Sequence, residues 1–116
     1  MAVTLNERAY GHAKKLIQAE EAVLDDRDAW SEHRPSAARE DEFLERHGSG
    51  EYAKWYLGID DEQPDDGKGR YEFPYGDFAR AHRCGVLSAE VQAGQYKYVD
   101  IEAAVGRLRG MLDRLT

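Results

Sequence analysis

The chain has 116 residues, of which 41% are apolar and 34% charged, and a formal net charge of −7. That length suits one domain with an unassisted core, and the composition is too apolar for a chain that stays disordered. Residues 1–58 carry 8 basic and 12 acidic groups and residues 59–116 carry 8 and 11, so neither half is a basic module, which argues against tight non-specific nucleic-acid binding.

The single cysteine, Cys84, cannot form an internal disulfide and suits a reducing compartment. The segment Met1–Glu7 lacks the basic-then-apolar pattern of a leader, and no apolar run approaches the length of a membrane span. These features predict a cytoplasmic protein with no membrane partner.

Thr4-Leu5-Asn6-Glu7 has the form of a capping box, followed by Leu5, Ala9, Ala13, Leu16 and Ile17 at helical spacing, which predicts a first helix over about residues 5–20. Residues 21–35 show no period and read as a loop pinned to the core by Trp30. Ser36 is placed to cap a second helix that ends at Gly48, and Ser49 a short third one over residues 50–57. Residues 59–70, acidic and containing Pro64, Gly67 and Gly69, read as a loop. In Tyr71-Glu72-Phe73-Pro74-Tyr75 apolar residues alternate with others, which predicts an extended strap laid across helices. Asp77 is placed to cap a helix reaching about Cys84, broken by Gly85, and Ser88 to cap another over residues 89–96. Ile101, Ala104, Val105, Leu108, Leu112 and Leu115 form the cleanest amphipathic helix, with Gly106 and Gly110 available for close approach of a neighbour. The expected architecture is all-α: a single helical domain over residues 1–116, with five to six short helices on the C-terminal one and one extended segment near 71–75.

The chemistry is read mainly by exclusion. His12, His33, His47 and His82 are far apart, with no HExxH pattern and no cysteine pair, so no metal and no cofactor is expected. The run Asp60, Asp61, Glu62, Asp65, Asp66, Gly67 invites comparison with a calcium loop. Aligning Gly67 with the turn glycine puts Pro64 and Phe73 where oxygen ligands belong, so the run reads as a hydrated loop. His82 and Arg83 flank Cys84, but on a helix residues two apart diverge, so Cys84 reads as a small buried hydrophobe.

Ala81 and Gly85, with Leu87 and Val91 behind them, have helix-turn-helix spacing. The candidate DNA contacts are Arg80, Arg83, Gln92, Gln95 and Lys97. The second helix of that corner, residues 89–96, contains an acid and no Arg or Lys, so a plain helical corner is the favoured reading. Tyr and Trp are typical interface anchors, which makes Tyr52, Trp55, Tyr75, Asp77, His82 and Arg83 the candidate binding surface.

Lys54-Trp55-Tyr56-Leu57-Gly58-Ile59-Asp60, Arg70-Tyr71-Glu72-Phe73-Pro74-Tyr75-Gly76-Asp77-Phe78 and His82-Arg83 resemble a family of short bacterial proteins of unassigned function. The similarity extends through His47-Gly48 and the final helix. It implies a stand-alone bacterial protein and supplies no catalytic residues. The sequence thus specifies no activity. The favoured expectation is a non-catalytic protein-binding or regulatory module, partnered by another protein or by a second copy. The alternatives are a DNA-binding protein using residues 77–98, or a small enzyme in which His82, Arg83 and the Tyr71–Tyr75 aromatics share a cleft.

Overall fold

The computed structural model describes residues 3–64 and 67–115. In chain order the elements are β1 (Val3–Leu5), α1 (Glu7–Gln18), β2 (Ala22–Val23), α2 (Trp30–His33), α3 (Ala37–Ala53), β3 (Tyr56–Asp60), β4 (Tyr71–Pro74), β5 (Ala81–His82), α4 (Arg83–Gln95) and α5 (Val99–Asp113). Short 3₁₀ turns precede α2 and β4. Among the described residues β1, β3 and β4 form an antiparallel sheet with β3 central, and β2 and β5 form a parallel pair. The chain is therefore α+β, and the all-α expectation is corrected. No helix among the described residues is long and apolar enough to cross a membrane.

The strands were hidden for physical reasons. Val3-Thr4-Leu5 is too short to show a period, yet it pairs Thr4 with Ile59. The Tyr56-Leu57-Gly58 run is buried on both faces, as a central strand is, so it reads as an unbroken apolar run. The 71–74 segment is a strand, but it hydrogen-bonds to β3 and does not lie as a strap, and Phe73 departs from the expected extended geometry with φ +67°. Pro74 is tolerated because β4 is an edge strand.

Asn6 caps α1, displacing Thr4, which lies in β1. Its Nδ2 donates to the Ala53 and Tyr56 carbonyls at 2.8 and 2.9 Å, so one side chain ties α1 to the end of α3 and the start of β3. Asn6→Ala strands two buried carbonyls and removes the cap, at a cost of about 3 kcal/mol in a urea titration. Asn6→Asp keeps the acceptor but loses both donors, so it also destabilises.

Ser36 caps α3 as expected, accepting from the Arg39 amide. The break foreseen at Gly48 is a kink inside α3, where Gly48 takes φ +83°. Helices α1, α4 and α5 close the core, which is centred on Ile17, Leu57, Val86, Val105, Leu108 and Leu112. Gly106 and Gly110 do not serve close backbone packing: a Cβ at Gly106 would meet only the Glu90 carboxylate at 3.5 Å, and one at Gly110 would meet nothing within 4 Å. Asp61 and Glu62 of the acidic loop are exposed; Asp65 and Asp66 lie outside the described residues.

His12 sits edge-on to Trp55 with ring centroids 5.0 Å apart, and its Nε2 is buried without a hydrogen-bond partner. Burial, then Lys54, hold its pKa below the ordinary 6.5, partly opposed by Glu51 and Glu21. The unfolded chain therefore takes up this proton more readily than the folded one. The His12 contribution to stability is intact above the unfolded value and is lost as pH falls from there through the lower folded value. Unfolding measured at about pH 7.5 and about pH 5.5 is expected to show a smaller acid loss in His12→Gln than in the parent chain.

Candidate metal centre

The expected helix over residues 77–84 is absent. Gly76 bridges to Ala81 around a tight turn, residues 81–82 form β5, and only then does α4 begin at Arg83. Helix α4 runs unbroken through Gly85 and Ser88, so the helix-turn-helix motif does not exist in this fold. Gly85 is a packing position: a Cβ there would lie 2.8 Å from the Tyr75 carbonyl oxygen. Arg80, Gln92, Gln95 and Lys97 are exposed and Arg83 is half-buried, without the recognition helix that would aim them at bases.

The aromatic part of the candidate binding surface is in the core. Tyr52, Trp55 and Tyr75 are 1%, 6% and 0% exposed, and the Tyr75 hydroxyl donates to the Lys54 carbonyl at 2.8 Å. A binding face built on these three has no surface to act through. Asp77 and His82 do come together, in a constellation that the sequence reading missed.

The parallel pairing of β2 with β5 sets Val23 beside His82. Asp25 follows two residues later and falls at the start of α4. There its Oδ1 accepts from the Cys84 amide at 2.8 Å, filling a first-turn donor left free by the helix. Its Oδ2 meets three groups: His82 Nδ1 at 2.7 Å, His33 Nδ1 at 2.8 Å and Cys84 Sγ at 3.1 Å. Cys84 Sγ lies 3.7 Å from His33 Nδ1. The four donor atoms of Asp25, His33, His82 and Cys84 all lie within 4.8 Å of one another. Trp30, buried as expected, anchors the short helix that carries His33.

A second carboxylate stands behind this cluster. His82 Nε2 is 2.8 Å from Asp77 Oδ2, while Asp77 Oδ1 accepts from the Ala79 and Arg80 amides. Phe78, at φ +69°, holds that turn, with its ring buried and stacked on Phe43 at 4.3 Å. Asp77 thus fixes which nitrogen of His82 faces the cluster, the arrangement found behind metal-ligating histidines. Arg83 donates to the Asp25 backbone carbonyl at 3.2 Å.

The electrostatics argue against a thiol nucleophile. Burial alone raises the Asp25 carboxyl, but the bonds from His82 and from the Cys84 amide and thiol outweigh it and hold the group at about 2. Burial, then the bond to Asp25, push the Cys84 thiol up to about 12. Without a cation the sulfur is a protonated donor and a poor nucleophile. A divalent cation reverses this, since a coordinating thiol is deprotonated.

The donor set fits a transition metal. Cysteine, two histidines and a carboxylate match zinc and its neighbours, whereas magnesium and calcium take oxygen ligands. Bonds of about 2.0–2.3 Å place tetrahedral donors about 3.3–3.7 Å apart. The His33–Cys84 spacing already fits, and the nitrogen–carboxylate contacts need to open by about half an ångström. The expectation of no metal rested on linear spacing; the β2–β5 pairing brings together two segments 57 residues apart. Two local pairs, Asp25 with His33 and His82 with Cys84, were the available signal.

Comparison with protein-family models, curated proteins and solved structures finds no match to this chain.

Proposed function

We propose that this protein binds one divalent transition metal of the zinc class through Asp25, His33, His82 and Cys84. The observation that carries the reading is the convergence of four donor atoms within 4.8 Å. The carboxylate of Asp77 behind His82 supports it. The metal joins the β2–α2 segment to the start of α4, so binding and local folding are coupled.

Metal-stripped protein dialysed against cobalt(II) is expected to take up one equivalent per chain. The complex should show a thiolate-to-cobalt charge-transfer band, and Cys84→Ser should lose that band. Magnesium and calcium in millimolar excess should not displace the ion. A cobalt content no higher than that of the dialysis buffer would falsify the reading.

A further inference from the structure

The four donors are held unequally. The side chains of Asp25 and His82 are 9% and 6% exposed, whereas that of His33 is 38% exposed. Cys84 is fully buried. Both nitrogens of His82 are engaged, Nδ1 by Asp25 and Nε2 by Asp77. Both oxygens of Asp25 are engaged, and Cys84 is fixed through its amide as well as its sulfur. His33 is tethered only through Nδ1 among the described residues.

The supporting elements differ in the same direction. His82 and Cys84 lie on β5 and the first turn of a 13-residue helix. His33 ends a four-residue helix in which Trp30 is the only buried side chain. Its ring lies against that of His82, centroids 5.0 Å apart, and its chain neighbours Ser31, Glu32 and Arg34 are exposed. A χ rotation of His33 disturbs no outer hydrogen bond, whereas moving the His82 ring breaks its bond to Asp77 and moving the Asp25 carboxylate breaks its bond to the Cys84 amide.

We infer that His33 is a displaceable ligand, and that the metal's fourth position is shared between His33 and an external donor, water or a small anion. The inference rests on the metal reading above. Catalytic zinc sites keep three protein ligands and an open fourth position, whereas structural sites are closed by four. Asp25, His82 and Cys84 supply the three less exposed ligands here, and His33 alternately closes and opens the fourth position. With Asp25 and the Cys84 thiolate the three-ligand complex of a divalent ion is neutral, so an arriving anion meets no net negative charge from the ligands. Arg83, bonded to the Asp25 carbonyl, adds positive charge near the cluster.

The test compares cobalt(II) complexes of the parent chain, His33→Ala, His33→Gln and His82→Ala, with azide as the external donor. His33→Ala and His33→Gln are expected to bind one cobalt within about tenfold of the parent affinity. They should keep the thiolate charge-transfer band and change their d–d bands saturably with azide. His82→Ala should lose about a hundredfold or more. Urea unfolding of each metal-free variant establishes that it is folded. Equal losses in the His33 and His82 variants would overturn the inference, as would cobalt-loaded His33 variants whose spectra ignore azide. Failure of the parent chain to take up cobalt overturns the metal reading itself and the inference with it.

Discussion

Zinc at a thousandfold excess over its dissociation constant is expected to raise the unfolding free energy by about 4 kcal/mol, and a chelator to remove the gain. The size follows from mass action, because the four donors converge only in the folded chain. Free cysteine and histidine in the unfolded chain also bind zinc, which subtracts from the figure. The gain is also expected to be local. Segment 22–33 is attached through a two-residue strand pair, one buried tryptophan and the bonds at Asp25. Hydrogen exchange should therefore slow most over residues 22–33 and 81–84. Urea curves with zinc and with chelator that superpose would remove the metal from the stability account, and Cys84→Ser should lose most of the shift.

The second large effect is a contrast of sign between two glycines. A Cβ at Gly76 would stand 2.5 Å from the Arg80 carbonyl oxygen and 2.7 Å from the Trp55 ring. Neither neighbour is free to yield: the Arg80 oxygen closes the turn by accepting from the Asp77 amide. Trp55 is buried between Tyr75, at 5.6 Å, and the edge contact with His12. Gly76→Ala is expected to cost about 3 kcal/mol by overpacking. Because the shifted turn carries Asp77, the same variant should also weaken metal binding by about tenfold. At Gly11, within α1, a Cβ would meet nothing within 4 Å. Gly11→Ala should stabilise by about 0.8 kcal/mol through helix propensity alone. Paired urea titrations check both; shifts of the same sign would refute the packing argument.

The helices were legible where one apolar stripe meets one core. Helix α5 buries Ile101, Ala104, Val105, Leu108 and Leu112, five of the six residues its periodicity selects, while Leu115 lies past its end and is half-buried. Ser36 and Gly48 mark a cap and a kink through their own local chemistry. Strands of two to five residues leave no such trace, and β3, buried on both faces, lacks the alternation that would separate it from a helix. The region 77–85 is ambiguous in sequence because Asp77 is equally a helix cap and a turn former, and it makes the turn. As a helical residue His82 would diverge from Cys84. As a strand residue one step before the helix, it converges with Cys84 on Asp25. The aromatics were conspicuous in the sequence, yet they fill volume, and the candidate site lies in polar residues that look ordinary one at a time.

The Leu5 amide of β1 donates to Asp100 Oδ2 at 2.8 Å, across a separation of 95 residues. Synthesis runs from the N-terminus, so this tie between the first strand and the first turn of α5 waits until most of the chain has been made. The central strand β3 and the candidate ligands His82 and Cys84 are made earlier, so a nascent chain ending near residue 98 already contains all four candidate donors. Its first strand and α1 still lack α5, the helix that closes the core over them. On the metal reading proposed above, one ion would join the two halves of the site without any residue of α5, a cross-link that does not wait on the last helix.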